Sequence, residues 1–125
     1  KAVDKRDPFE VWGSPAVSRD IIYGDDFARA VVLMIAEGSL KFDIFNVGSG
    51  FRTTVGDVVN WTLKFAQHQP EKIQYQENQP TTIPFRLLDC SKIKEKLGWE
   101  PYHIPEEGVR MTTEWWMHNK DWWKR

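Results

Sequence analysis

Cysteine is nearly absent from this chain. Cys90 stands alone among 125 residues, which excludes an internal disulfide framework and suits a reducing, cytoplasmic setting. Net charge is nearly absent too. Seventeen Lys and Arg face 18 Asp and Glu, leaving a formal balance of −1. No overall field favours nucleic acid or an anionic membrane, so any bound anion must be held by a few local cations. No apolar run reaches the roughly 20 residues of a membrane span, and no secretory signal is visible. Internal repeats and low-complexity tracts are also missing. The three histidines, His68, His103 and His118, share no metal-ligand spacing with one another or with Cys90, and read as surface or loop residues. No familiar catalytic signature occurs. Four residues after the tyrosines stand Phe27, Gln79 and Glu106, never lysine, and there is no Gly-x-Ser-x-Gly or His-Glu-x-x-His.

What is present suits one globular domain. The hydrophobic fraction is 41%, and a chain of this length buries roughly two-thirds of its unfolded surface. Lys1 to Asp7 reads as the polar end of a helix with nothing before it to cap or start it, as expected either of a chain from which a tag was removed or of one cut from something longer. Phe9 to Trp12 and Arg19 to Tyr23 read as short strands around a Gly13-Ser14-Pro15 turn. Asp25 or Asp26 is expected to cap a helix reaching about Glu37, with Phe27, Ala30, Val31, Met34 and Ile35 on its apolar face. Phe42 to Val47 has the β-branched and aromatic content of a strand. Thr53 or Thr54 caps a second helix with Val55, Val58, Val59, Thr62, Leu63 and Ala66 buried. A strand at Lys72 to Gln76, a mobile polar loop at Glu77 to Pro84 and an extended Phe85 to Leu88 follow. A short helix from Ser91 to Leu97, capped by Asp89 or Ser91, stops at Gly98. Pro105 opens the last helix, with Glu106 and Glu107 where the dipole favours acids. Strands and helices alternate, so the class is α/β. The strands are few and short and the helices about four, which fits a small mixed lobe better than a full doubly wound sheet.

Four local features carry candidate chemistry. Gly48-Ser49-Gly50 sits between a strand and a helix, the setting of a dinucleotide turn. Thr53 stands where the third glycine belongs, and Gln67 to Gln69 where an acidic residue belongs, so a plain tight turn is the better reading. Arg19 and Arg86 either converge to clamp a diphosphate or pair on the surface with Asp20 or Asp25 and with Asp89. Cys90, at a helix start with no base beside it, reads as a half-buried filler. Trp115 and Trp122 lie seven apart, as do Trp116 and Trp123. One of Trp115 and Trp116 is expected in the core, and the excess aromatic surface points to a neighbouring domain or a second copy.

Three segments, in order, add a resemblance. The first is Glu10-Val11-Trp12-Gly13, then Ser18-Arg19-Asp20-Ile21-Ile22-Tyr23-Gly24-Asp25-Asp26-Phe27-Ala28-Arg29-Ala30. The second is Phe45-Asn46-Val47-Gly48-Ser49-Gly50, with Thr54-Val55 opening a helix. The third is Arg86, Asp89-Cys90-Ser91-Lys92, Leu97-Gly98-Trp99-Glu100-Pro101 and Glu106-Glu107-Gly108-Val109-Arg110. Together these resemble the C-terminal portion of the extended short-chain dehydrogenase/reductase family. That family holds the NAD(P)-dependent nucleoside-diphosphate-sugar epimerases and dehydratases.

The resemblance implies roles. Arg19 and Arg86 match the arginines that hold the nucleotide-sugar diphosphate. Val11 and Trp12 match the strand beside the base, and Asn46 with the glycines after it matches the turn under the substrate lobe. Asp25 and Asp26 match an acidic helix start and imply capping. Asp89 matches an acid that either orients the second arginine or touches the ribose. Gly24 stands where the family often has Val, and Ser14-Pro15-Ala16-Val17 where it has a Gly-rich turn. The glycine-rich NAD(P) loop and the Tyr-x-x-x-Lys pair of the family's N-terminal Rossmann half are not in this sequence. The expectation is therefore a substrate-binding lobe, residues 1–125, without catalytic residues or a cofactor site of its own. NAD or NADP is implied only for a full-length relative. Expected partners are a nucleoside-diphosphate sugar, the missing Rossmann domain and, as an alternative, a second copy met through exposed apolar and Trp surface. Nucleic acid and membrane are not expected.

Overall fold

Residues 1–38, 42–78 and 83–122 are described in the computed structural model. Trp123 and the middle of the polar loop after Gln76 lie outside them. The elements run β1 (Phe9–Trp12), β2 (Ser18–Arg19), α1 (Gly24–Ala36), β3 (Thr53–Thr54), α2 (Val55–Phe65), β4 (Ile73–Gln76), α3 (Ser91–Leu97) and α4 (Pro105–Asn119). Among the described residues this is a small mixed α/β lobe of four helices and four short strands, as the alternating pattern predicts.

Two apolar clusters hold it together. In the first, β1 pairs in parallel with β4, Phe9 opposite Ile73 and Trp12 opposite Gln76. One side of this ribbon packs on α2, burying Ala2, Phe9, Val59, Leu63 and Ala66. The predicted stripe of α2 is the one buried. Its start is Thr54, whose hydroxyl accepts from Asp57 N (3.0 Å) while the Asp57 carboxylate accepts from Thr54 N (2.9 Å). This capping box satisfies two otherwise orphaned donors. We expect Thr54→Ala to cost about 1 kcal/mol in a denaturant melt, near the middle of the range for cap removal. The far end of α2 closes with Gln67 at φ +51°, His68 N donating to Leu63 O and Gln67 N to Lys64 O. The same pair of bonds recurs at the start of the chain, where Arg6 N reaches Lys1 O, Lys5 N reaches Ala2 O, and Lys5 has φ +55°. That is the geometry with which helices end, so the predicted helix-end character of Lys1 to Asp7 is present. Lys5 Nζ then donates to Gln67 O (2.6 Å), joining the two ends.

The second cluster buries Ala30, Ile93 and Trp99, with Ile22, Leu33, Met34, Phe45, Val47, Cys90 and Leu97 around them. It joins α1 to α3, which ends as expected at Gly98 with φ +62°.

Several expectations need correction. The strand predicted over Arg19 to Tyr23 keeps its ladder only at Ser18–Arg19, and Ile21 to Tyr23 turn to line a cleft instead. Phe42 to Val47 is extended, with residues 43, 45 and 47 half-buried and 42, 44 and 46 exposed, but no strand pairs with it among the described residues. The periodicity is that of a strand; the ladder needs a neighbour the pattern cannot supply. In α1, Ala30, Leu33 and Met34 face the core while Phe27 and Ile35 are exposed, so the predicted stripe is rotated. The N-cap is Tyr23 with no side-chain bond, Asp25 is exposed, and Asp26 is buried and engaged elsewhere. The core tryptophan is Trp99; Trp115 and Trp116 are both exposed, Trp116 at the wall of a cleft.

Candidate functional site

Ser18 is the hub of the predicted anion grip. It is fully buried, and its short strand is flanked on both sides. β3 pairs antiparallel to β2, Ser18 opposite Thr54 and Arg19 opposite Thr53. On the other side Ser18 forms a parallel bridge with Phe85, with Ser18 N donating to Pro84 O (2.9 Å) and Arg86 N to Ser18 O (3.3 Å). Register then places Arg19 beside Arg86. Residues opposite one another share a face, and neighbouring strands lie about 4.8 Å apart. The bridge thus brings the segment that carries Arg86 alongside the strand that carries Arg19. Arg19 Nη1 donates to Ser18 O (2.6 Å). Arg86 is exposed and has no carboxylate partner among the described residues, so the alternative pairing with Asp89 is not made.

Asp20 follows Arg19 and was weighed in the sequence only as its surface partner. Its carboxylate instead enters the Gly48–Gly50 turn. Oδ1 accepts from Ser49 N (2.6 Å) and Ser49 Oγ (2.8 Å), and Oδ2 accepts from Gly50 N (3.2 Å) and Leu88 N (3.3 Å). A third arginine, Arg52, also escaped the sequence reading. Its Nε donates to Ser18 Oγ (3.1 Å) and its guanidinium lies over the Phe85 ring at 5.2 Å. The only sequence signal for it is its place between the turn and the capped helix.

The remaining predicted residues are spread around this hub. Asn46 Nδ2 donates to Asp89 O (3.0 Å), so its amide ties the extended 42–47 segment to the start of α3. Asp89 Oδ1 accepts from Ser91 N (3.0 Å) and Ser91 Oγ (2.7 Å) just ahead of α3, whose N-cap is Cys90 with no side-chain bond and not the expected Asp89 or Ser91. The Ser91 hydroxyl, then its N–H, hold the Asp89 carboxyl below its ordinary range. Val11 and Trp12 sit on the other ribbon, Val11 packed on the core and Trp12 72% exposed, so only Trp12 is open to a ligand. Cys90 is half-buried against the second cluster, and burial pushes its thiol up, as suits a filler and not a nucleophile. His103 departs from its expected surface role: its Nδ1 lies 3.0 Å from the buried Asp26 carboxylate.

A cleft of about 390 Å³ lies elsewhere. It is lined by Lys1 to Val3, by Ile21 to Gly24, by Val58 and Thr62 of α2, and by one face of α4 that includes Pro105, Gly108, Thr112 and Trp116, and none of the six predicted site residues borders it. Its lining is mostly apolar.

The family model for GDP-mannose 4,6 dehydratase matches residues 2–112. The chain belongs to this family. A trifunctional UDP-glucose 4,6-dehydratase/UDP-4-keto-6-deoxy-D-glucose 3,5-epimerase/UDP-4-keto-L-rhamnose-reductase of Arabidopsis thaliana is 34% identical over 93% of the chain and 17% of its own length. The dTDP-glucose 4,6-dehydratase of Salmonella typhimurium is 29% identical over 92% of the chain and 34% of its own length. Among solved structures, a UDP-glucose 4-epimerase of Thermotoga maritima with UDP-glucose superposes with TM-score 0.79 at 28% identity, over 95% of this chain and 37% of its own. A dTDP-glucose 4,6-dehydratase from Bacillus anthracis in complex with NAD reaches TM-score 0.82 at 21% identity, over 98% of this chain and 38% of its own. The chain thus spans little more than a third of these relatives at most. The family is the dehydratase and epimerase group that the three sequence segments resemble.

That family implies NAD, and the turn at Gly48 to Gly50 does not fit it. The N–H groups of Ser49 and Gly50, which a cofactor phosphate would need, are already committed to Asp20. No helix among the described residues is long and apolar enough to cross a membrane.

Proposed function

We propose that this chain is the nucleotide-sugar-binding lobe of an NAD-dependent sugar-nucleotide dehydratase or epimerase, with the cofactor and proton-transfer groups carried by another part of the enzyme. The observation that carries this is the Ser18–Phe85 bridge, which sets the segment carrying Arg86 alongside the strand carrying Arg19. Two guanidinium groups hold a diphosphate by charge-assisted, bidentate hydrogen bonds. Trp12 offers an exposed ring for a base, and Asn46 is tied to the Asp89 carbonyl, three residues beyond the second arginine. The relatives named above act on, or are bound to, nucleotide sugars according to their own descriptions. Val32 and Ile35 of α1, with Phe42 and Ile44 of the unpaired segment, are exposed apolar side chains of the kind a cofactor-binding half would cover.

Titration with UDP-, GDP- and dTDP-sugars, followed by amide NMR, tests this. One wall of a pocket alone binds weakly, with Kd expected in the high-micromolar to about millimolar range. Arg19→Ala is expected to weaken binding about tenfold or more, the worth of one hydrogen-bonded charge. No shift near Arg19 or Arg86 at high ligand concentration would sink the reading.

A second reading has its own observation. Trp115, Trp116, Met117 and Trp122 are all substantially exposed, and the rings of Trp115 and Trp122 meet edge to face at 6.0 Å. Such a cluster suits self-association of two copies. Sedimentation decides: a clean monomer at high concentration removes it.

A further inference from the structure

We infer that Asp20 is the positioning residue of Arg19, because its carboxylate is the resident anion of the Gly48–Gly50 turn and locks the arginine-bearing strand in place. The strand itself is too short to do this, since β2 contributes only Ser18 and Arg19 to its ladder. The next residue, Asp20, sends its side chain to donors 29, 30 and 68 positions away, in the turn and in the segment that carries Arg86. One carboxylate therefore pins three pieces of chain. Converging backbone N–H groups of a turn form a concavity for an anion, usually a phosphate or a bound ion. Here the anion is the protein's own.

The turn is shaped for that occupant. A Cβ at residue 48 would stand 2.7 Å from Asp20 Oδ2, so the carboxylate fits only against a glycine. Gly50 has φ +75°, which directs its N–H inward and disfavours any side chain there. Ser49 is buried and gives both its N–H and its hydroxyl to the same oxygen. The glycine pair that looks like a dinucleotide turn thus serves an internal carboxylate. A guanidinium on a strand fixed in this way loses less freedom when it grips a ligand.

The ligand gripped by Arg19 rests on the reading above; the joint made by Asp20 does not, and its test needs no nucleotide. In the whole chain, Asp20→Ala empties the turn. Added formate, at about 0.1–0.5 M for so small a ligand, is expected to raise the melting temperature of this variant and not of wild type. It should also shift the amide signals of Ser49, Gly50 and Leu88, and restore the Arg19 side-chain Nε–H signal broadened by the substitution. Gly48→Ala fills the carboxylate's place with a methyl group, so it is expected to be destabilised and insensitive to formate. Asp20→Asn replaces one acceptor with a donor facing two N–H groups, and should shift the unfolding equilibrium about tenfold or more.

A folded Asp20→Ala protein whose Ser49 and Gly50 amides ignore formate overturns the inference, as does an Arg19 signal unchanged from wild type. If Asp20→Ala does not fold, refolding on addition of formate supports it. Should formate fail to refold it, Asp20→Asn decides: wild-type stability overturns the inference, and the tenfold loss supports it. Failure of the nucleotide titration would remove the proposed substrate and leave this joint standing. Formate insensitivity beside normal nucleotide binding would do the reverse.

Discussion

Replacing Asp26 with alanine is expected to remove about 3–5 kcal/mol of folding stability, the range for stripping one partner from a buried charged network. Asp26 is only 1% exposed. Its Oδ1 accepts from Tyr102 N (2.9 Å) and Arg29 Nη2 (3.4 Å), and its Oδ2 accepts from His103 N and lies equally near His103 Nδ1 (both 3.0 Å). The carboxylate thus holds the bend between Trp99 and Pro105, and so sets where α4 begins. Alanine leaves the Tyr102 and His103 N–H groups without this acceptor and the Arg29 guanidinium without its carboxylate. For a chain of this size the loss corresponds to a fall in melting temperature of about 10–20 °C. A thermal or denaturant melt showing a loss below about 1 kcal/mol would contradict this assignment. The pH dependence has a definite sign. Burial pushes the Asp26 carboxyl up, but the bonds from Tyr102, His103 and Arg29 outweigh it and leave it below its ordinary value of 3.8. A lowered carboxyl contributes stability that is fully present above the unfolded value and is lost as pH falls through the folded one. The difference between wild type and Asp26→Ala should accordingly be constant at neutral pH and shrink below pH 3.8.

Trp99→Ala is expected to cost about the same, 3–5 kcal/mol, for a different reason. Trp99 is 1% exposed and is the largest fully buried side chain among the described residues. It fills the second cluster with Ala30 of α1 and Ile93 of α3. The loss is of transfer energy plus a cavity. Its indole N–H has no hydrogen-bond partner among the described residues. Trp99→Phe therefore breaks no bond, and roughly half the alanine loss is expected from it. A phenylalanine variant as unstable as the alanine one would show that the N–H is bonded after all. The two sites are not independent. The Arg29 guanidinium lies 5.6 Å from the Trp99 ring and 3.5 Å over the Tyr102 ring while bonding Asp26. The double substitution should cost less than the sum of the single ones, measured as a cycle.

Arg29 also shows why these residues were hard to find in the sequence. Its spacing says only that it lies three residues after Asp26 on one helix. Its partners in the tertiary structure, Glu100 and Tyr102, are more than seventy positions away. Asp26 was read as a cap because acids at helix starts usually are. In the fold, its side chain points away from the helix end and toward a loop no local rule connects to it. The tryptophans went astray in the same way. Seven-residue spacing on α4 promises a packed face, but a face is buried only where another element reaches it, and Trp115 and Trp116 stay exposed.

The candidate site was legible in part. Arg19, Asn46, Arg86 and Asp89 stand in recognisable order, and the Ser18–Phe85 bridge brings the segment carrying Arg86 alongside Arg19. What the order could not show is which carboxylate serves which donor. Asp20 looked like a surface partner and proves to be the pin of the glycine turn; Asp89 looked like a ligand group and serves Ser91.

The sequence by itself determined the alternation of short strands and helices, the Thr54 cap, the stop at Gly98, the opening of α4 at Pro105 and the family. Each of these is written in residues close together in the chain, or in a motif order that needs no folding to be seen. Only the tertiary structure decided what fills the glycine turn, what anchors the start of α4 and which tryptophan is core. Those depend on buried charges and large rings meeting partners 29 to 77 positions away, where desolvation leaves each polar group whatever donor the fold brings to it.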